Sequence, residues 1–172
     1  MSRKPRYYLD ADVFIAAKNT YYAFSICPGF WKSLIHQHGK GRIFSIDPVK
    51  REILAGRESE DLVQWAKREL PDEFFLATDS QEVSDAFRHV MLWVQRSTQY
   101  TDQAIAKFAT EADGWLVAYA KVNEGIVVTN EQPRPSSKSR ILLPDVCNQF
   151  KVVYHNTFTM LKELKVQFDW KE

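Results

Sequence analysis

Cysteine is scarce in this chain. Cys27 and Cys147 stand far apart and fit no CxxC spacing, so the sequence argues against a zinc or thiol-redox centre and reads as a reducing-compartment protein with incidental thiols. Long hydrophobic runs are missing as well. No stretch approaches the ~20 apolar residues that span a bilayer, and the N-terminal residues carry no signal-peptide core, so no membrane partner is expected and the cytoplasm is the expected location. Charge of one sign is not in excess either: Lys and Arg number 23 against 22 Asp and Glu, a net charge of +1. A polyanion would therefore have to be held by local placement of charge. Arg3, Lys4 and Arg6, and later Arg134, Lys138 and Arg140, are the candidates, and each reads equally well as solvated surface.

What is present suits one folded domain over residues 1–172. At 172 residues, with 45% hydrophobic and 26% charged residues, the chain is long enough for a real core and is neither disordered nor fibrous. An apolar strand begins near Tyr7, and CPGFWKSLIHQHG from Cys27 to Gly39 follows as a helix with Pro28 in its first turn. GRIFSID supplies a second strand near 43. Pro48 opens a helix, PVKREILAG, that Gly56 ends, and further helices are expected from Ser59, from Ser80 and near Thr101. Asp113 stands at the junction with the next helical segment, DGWLVAYAKVNEG. IVVTNE, from Ile126, and KVVYHN, from Lys151, read as strands buried on both faces, separated by the exposed loop QPRPSSKSR. A last helix is capped by Thr157. Strands near 7, 43, 126 and 152 alternating with helices predict an α/β fold with a parallel sheet covered on both sides, whose ligands collect at the carboxyl ends of the strands.

Four acids recur at such places. Asp10 closes the first strand, Glu52 lies on the helix after the second, Asp113 heads the helix entering the IVV strand, and Glu131 ends that strand. Each has an ordinary explanation: Asp10 and Asp113 as helix caps, Glu52 as a solvated helix residue, Glu131 as a loop acid. Brought together, however, they would repel one another and raise each other's pKa unless cations neutralised them. Oxygen-only donors select Mg²⁺ or Mn²⁺ over softer metals, and ions of that kind can activate water and brace a phosphodiester.

An aspartate closing the first strand (YYLDADVFI), a glutamate on an early helix (VKREIL), an aspartate before a small-residue helix (EADGWLVAYA) and a Thr-x-acid step (VVTNE) together resemble the PIN domain, from about Tyr7 to Leu164. AAKNTYYAF and CPGFW look most like a bacterial PIN-like branch of originally unknown function, related to VapC-type ribonuclease toxins. The resemblance implies a three-layer sandwich around a mainly parallel sheet of four to five strands. It also implies Mg²⁺- or Mn²⁺-dependent endoribonuclease activity, with Asp10, Glu52, Asp113 and Glu131 as catalytic and metal-binding residues and Asp12, Thr129 and Asn130 in support. Lys18, Arg134, Lys138 and Arg140 become candidates for the RNA backbone, with Tyr22 beside Lys18. A toxin of this type would have a cognate antitoxin, a small DNA-binding protein, and a homodimer is plausible. Two positions depart from the pattern: Asp12 stands where the family usually has Ser, Thr or Asn, and Glu131 where it commonly has Asp.

Two rivals share the same residues. An apolar strand leading into DxDV also resembles the first motif of haloacid-dehalogenase-type phosphatases, with Asp10 as nucleophile and Asp12 as acid/base, though VVTNEQ offers only one later acid. A PIN-like scaffold or binding protein with little or no activity is the other. His36 and His38 read as helix-end residues, and His89 and His155 carry no further signal. Trp31, Trp65, Trp93 and Trp115 lie on apolar helical stripes as core, and Trp170 lies in an exposed tail.

Overall fold

The computed structural model of the protein describes residues 3–171. Five strands form one sheet in the order β3-β2-β1-β4-β5, where β1 is Tyr7–Leu9, β2 Ile43–Ile46, β3 Phe75–Leu76, β4 Ile126–Val128 and β5 Tyr154–His155. All four pairings are parallel, so the expected α/β class and mainly parallel sheet hold. The helices are α1 (Ala11–Asn19), α2 (Pro28–Gly39), α3 (Asp47–Leu54), α4 (Asp61–Arg68), α5 (Gln81–Arg96), α6 (Asp102–Thr110), α7 (Asp113–Val122), α8 (Leu143–Phe150) and α9 (Thr157–Glu163). Helices flank the sheet, and none among the described residues is long and apolar enough to cross a membrane.

The sheet is buried because its strands are apolar without alternation, as parallel strands covered on both faces must be. Tyr7, Tyr8, Leu9, Ile43, Ile46, Val127 and Val128 all lie in the core. Trp31 and Trp65 join them and meet edge-on at 4.8 Å. Trp93 and Trp115 are half-buried against the same core, and Trp170 is exposed. β1 sits at the centre, with Tyr7 opposite Ile43 on one side and Ile126 on the other. The strand order runs outward from β1 through β2 to β3, then reverses and runs through β4 to β5. That reversal opens a crevice beyond the carboxyl ends of β1 and β4.

Several local expectations are corrected. Thr157 does not cap α9: Asn156 does, its side chain accepting from the Thr159 N–H at 2.8 Å, while Thr157 is a buried first helical residue. Ser59 does not start α4, which follows Glu60. Asp113 is the first residue of α7, after Ala112, and makes no cap hydrogen bond. Asp10 precedes α1 at the cap position, also without a side-chain cap bond. The strand expected from Lys151 pairs only at Tyr154–His155, since Lys151 adopts φ 56° as it ends α8. The IVV strand stops at Val128, three residues before Glu131. β3 and α8 carry no sequence expectation, and α1 is expected only as the helix that Asp10 would cap.

Candidate functional site

The residues around the crevice arrive from four places. Asp10 leaves β1 with its N–H bonded to Val128 O at 2.9 Å, which pins it to the neighbouring strand. Asp12 follows in the first turn of α1. Glu52 comes from α3, Glu111 and Asp113 from the α6–α7 junction, and Glu131 from the loop after β4. These six carboxylates, with Ile15 and Arg140, line one cleft of about 360 Å³. Asp10 is almost wholly buried, at 4% exposure.

Hydrogen bonds hold the two ends of the cleft in register. The Thr129 hydroxyl lies 3.0 Å from Asp10 Oδ2 and 3.3 Å from Asp12 Oδ2, so it donates to one carboxylate at a time. The Asn130 N–H donates to Asp12 Oδ2 at 3.0 Å, while the Asn130 side-chain oxygen accepts from the Thr157 N–H and hydroxyl. Thr129 and Asn130 thus tie β4 to both strand-end aspartates and to α9. Glu52 Oε1 accepts from the Ala112 N–H at 2.8 Å, which anchors α3 to the turn that presents Asp113. Glu131 accepts from the Leu143 N–H at 2.9 Å and pairs with Arg140.

The charge is uncompensated where it is deepest. Burial pushes the Asp10 pKa well above the usual carboxylate range, and Asp113, Asp12 and Glu131 push it further, against only the Thr129 hydroxyl. Asp113 is raised well above its ordinary value by burial and then by Glu131, Glu111, Glu52 and Asp12. Asp12 is raised by burial, partly offset by its hydrogen bonds. Glu52 is exposed as a residue, yet the atoms packed round its carboxyl also raise its pKa. Burial and neighbouring carboxylates are the two causes that penalise the ionised form. The buried Cys147 thiol is raised too, first by burial and then by Asp113 and Asp10, which suits an inert structural cysteine.

A family model described as a domain of unknown function, DUF4411, matches residues 7–168. The chain belongs to the DUF4411 family. No curated protein matches it, and no solved structure does. The matched span runs from the first residue of β1 past the end of α9, so the whole acidic cleft lies inside the DUF4411 region.

The donor set of this DUF4411 chain fits a hard divalent cation in chemistry: six carboxylates face one cleft, and Arg140 is the sole cationic side chain lining it. It is not a finished cage. Among the described residues no three His, Cys, Asp or Glu side chains are set to hold an ion together, and Glu52 and Glu131 bond to backbone N–H groups and Arg140.

The four expected acids, Asp10, Glu52, Asp113 and Glu131, do come together, with Asp12, Thr129 and Asn130 beside them. The basic candidates fare differently. Lys18 is engaged by Glu60 at 2.6 Å, Arg140 reaches the cleft but pairs with Glu131, and neither Arg134 nor Lys138 lines it. Tyr22 stacks on Phe30 with ring centroids 4.4 Å apart, a packing role. Glu111 went unrecognised in the sequence. It stands two residues before Asp113, but nothing local separates it from a solvated acid.

Proposed function

We propose that this protein is a metal-dependent ribonuclease that hydrolyses phosphodiester bonds in RNA at the acidic cleft. One observation carries the proposal: Asp10, Asp12, Glu52, Glu111, Asp113 and Glu131 converge at the reversal point of a parallel sheet, with a single paired arginine against them. A cluster of this kind, with Asp10 buried and most of the others half-buried, is costly as a structural element and useful as a cation site. The resemblance of the strand-end motifs to PIN domains supports the choice of nuclease chemistry. Asp10, Glu52, Asp113 and Glu131 would hold Mg²⁺ or Mn²⁺, with Asp12 and Glu111 at the rim. When bound, such an ion supplies positive charge against the phosphate and activates water. The protein's own residues orient the donors: Thr129 and Asn130 fix the two aspartates, and the Ala112 N–H holds Glu52. Arg140, which pairs with Glu131, would exchange it for a substrate phosphate.

On the same resemblance, the activity would be that of a type II toxin working in the cytoplasm, held in check by a small DNA-binding antitoxin and acting as a homodimer. The phosphatase alternative is less well supported, since among the described residues no lysine lines the cleft. The purified protein is expected to cleave labelled single-stranded RNA with Mg²⁺ or Mn²⁺. Cleavage should disappear with EDTA and in Asp10→Asn and Asp113→Asn variants that remain folded. No cleavage by the wild type, together with no heat of metal binding, would remove the nuclease proposal and favour an inactive scaffold.

A further inference from the structure

The acidic cleft poses a problem for any polyanionic substrate. Six carboxylates repel phosphate, Arg140 is paired with Glu131, and the net charge of the chain is only +1. Affinity for a nucleic-acid strand is mainly neutralisation of its phosphates by Lys and Arg, so the cations must sit elsewhere on the path of the strand. The basic loop residues Arg134 and Lys138 lie outside the cleft, and Lys18 is spent on Glu60.

The structure offers one other place. α2 and the tail after α9 enclose a groove of about 840 Å³ lined by Lys32, His36, Lys40 and Lys165, with Asp169 as its one acid. The three lysines are exposed and none is in an ion pair among the described residues. Ile26 and Phe168 on the groove wall are exposed as well.

Groove and cleft are joined by an aromatic shelf. Ala16 lines the acidic cleft and also a small depression shared by Tyr21, Tyr22, Asn130 and Phe158. Tyr21 is 76% exposed and Phe158 53%. The Tyr22 ring bridges onward, 6.3 Å from Phe158 on the cleft side and 5.8 Å from Phe168 on the groove side. Exposed aromatic faces beside a cationic groove are what an unpaired strand requires, because every base can stack and every phosphate needs a counter-charge. A duplex keeps its bases inside and gains nothing from such a shelf.

Resting on the ribonuclease proposal, we propose that a single-stranded RNA runs from the acidic cleft over Tyr21 and Phe158 into the α2–tail groove, where Lys32, Lys40 and Lys165 hold its phosphates. The groove then supplies the affinity and the cleft the chemistry. Substrates too short to reach the lysines bind weakly.

The test is binding of end-labelled single-stranded RNA of about 4 and about 16 nucleotides to the full chain in EDTA, followed by anisotropy across a salt series. The wild type should bind the longer strand more tightly. Lys32→Gln/Lys40→Gln/Lys165→Gln, checked for folding by circular dichroism, should lose that gain. It should also lose ~2 from the slope of log affinity against log salt, at roughly 0.7 per phosphate contact, whereas the Lys→Arg triple keeps both. Unchanged length dependence and slope in the Gln triple would overturn the groove and leave the ribonuclease proposal intact. Lysine-dependent binding without cleavage on adding Mg²⁺ or Mn²⁺ would uphold the groove and overturn the nuclease. A wild type that binds neither strand in EDTA overturns the groove and leaves the ribonuclease proposal to the cleavage assay with Mg²⁺ or Mn²⁺. A wild-type dimer made monomeric by the Gln triple assigns the groove to a second copy of the chain and overturns the proposal.

Discussion

Replacing Asp10 by Asn removes a negative charge that burial, Asp113, Asp12 and Glu131 all oppose, so the metal-free variant should melt higher than the wild type. Each kcal/mol relieved is worth roughly 2–4 °C at this chain length. The pH dependence has a definite sign. Asp10 and Asp113 have raised folded-state pKa values, so the native protein keeps protons that the unfolded chain has already lost. Their protonated stability is fully present below the ordinary carboxylate range and lost as pH rises through the raised values. Thermal unfolding in EDTA from about pH 4 to pH 8 should show a fall that Asp10→Asn shrinks. A wild-type curve that rises across that window would contradict the charge balance. At this scale Asp10, Asp12 and Thr129 were legible because they close apolar runs where a buried strand must surface. Glu111 was not, since nothing local distinguishes a cleft acid from a solvated one. Arg140 was legible as a cation, but its pairing with Glu131 across nine residues was not.

At the scale of elements, helix starts were readable where a short polar side chain does the capping. Ser80 and Thr101 accept from the Val83 and Ala104 N–H groups, as their positions before apolar stripes suggested. Ser59 and Thr157 have the same chemistry, yet Glu60 and Asn156 stand at those caps, a shift of one residue that local preference does not resolve. β3 escaped notice because two residues after a 3₁₀ turn carry no period. α8 escaped because Pro144 in its first turn and the polar loop before it resemble continued coil. Gly125 shows how closely these elements meet. A Cβ there would fall 2.0 Å from Tyr8 Cε2, inside the core beneath β1. Gly125→Ala should cost at least the ~1–3 kcal/mol of an overpacked core, read as a lower denaturation midpoint. An unchanged midpoint would mean that Tyr8 can move aside freely.

Across the whole molecule, the α/β class and parallel sheet were legible from the alternation of apolar strands and amphipathic helices. The reversal of strand order at β1 was not, because pairing partners are set by packing over long sequence separations. That reversal is what turns scattered acids into one cleft. Mg²⁺ or Mn²⁺ should therefore raise the wild-type melting temperature, by an amount equivalent to ~2.7 kcal/mol at a hundredfold excess over the dissociation constant. The same titration should leave an Asp10→Asn/Asp113→Asn double variant unmoved. Equal shifts in both would place the cation outside the cleft.

The central position of β1 also orders events during synthesis. Tyr7–Leu9 is made well before one of its two neighbours, Ile126–Val128, and Thr129 and Glu131 come only after that. Until those residues follow, a nascent chain therefore carries Asp10 with half of the surrounding sheet unbuilt. The cleft can close only once Glu131 has been made, so a ribosome stalled before that residue holds Asp10 in an unfinished site.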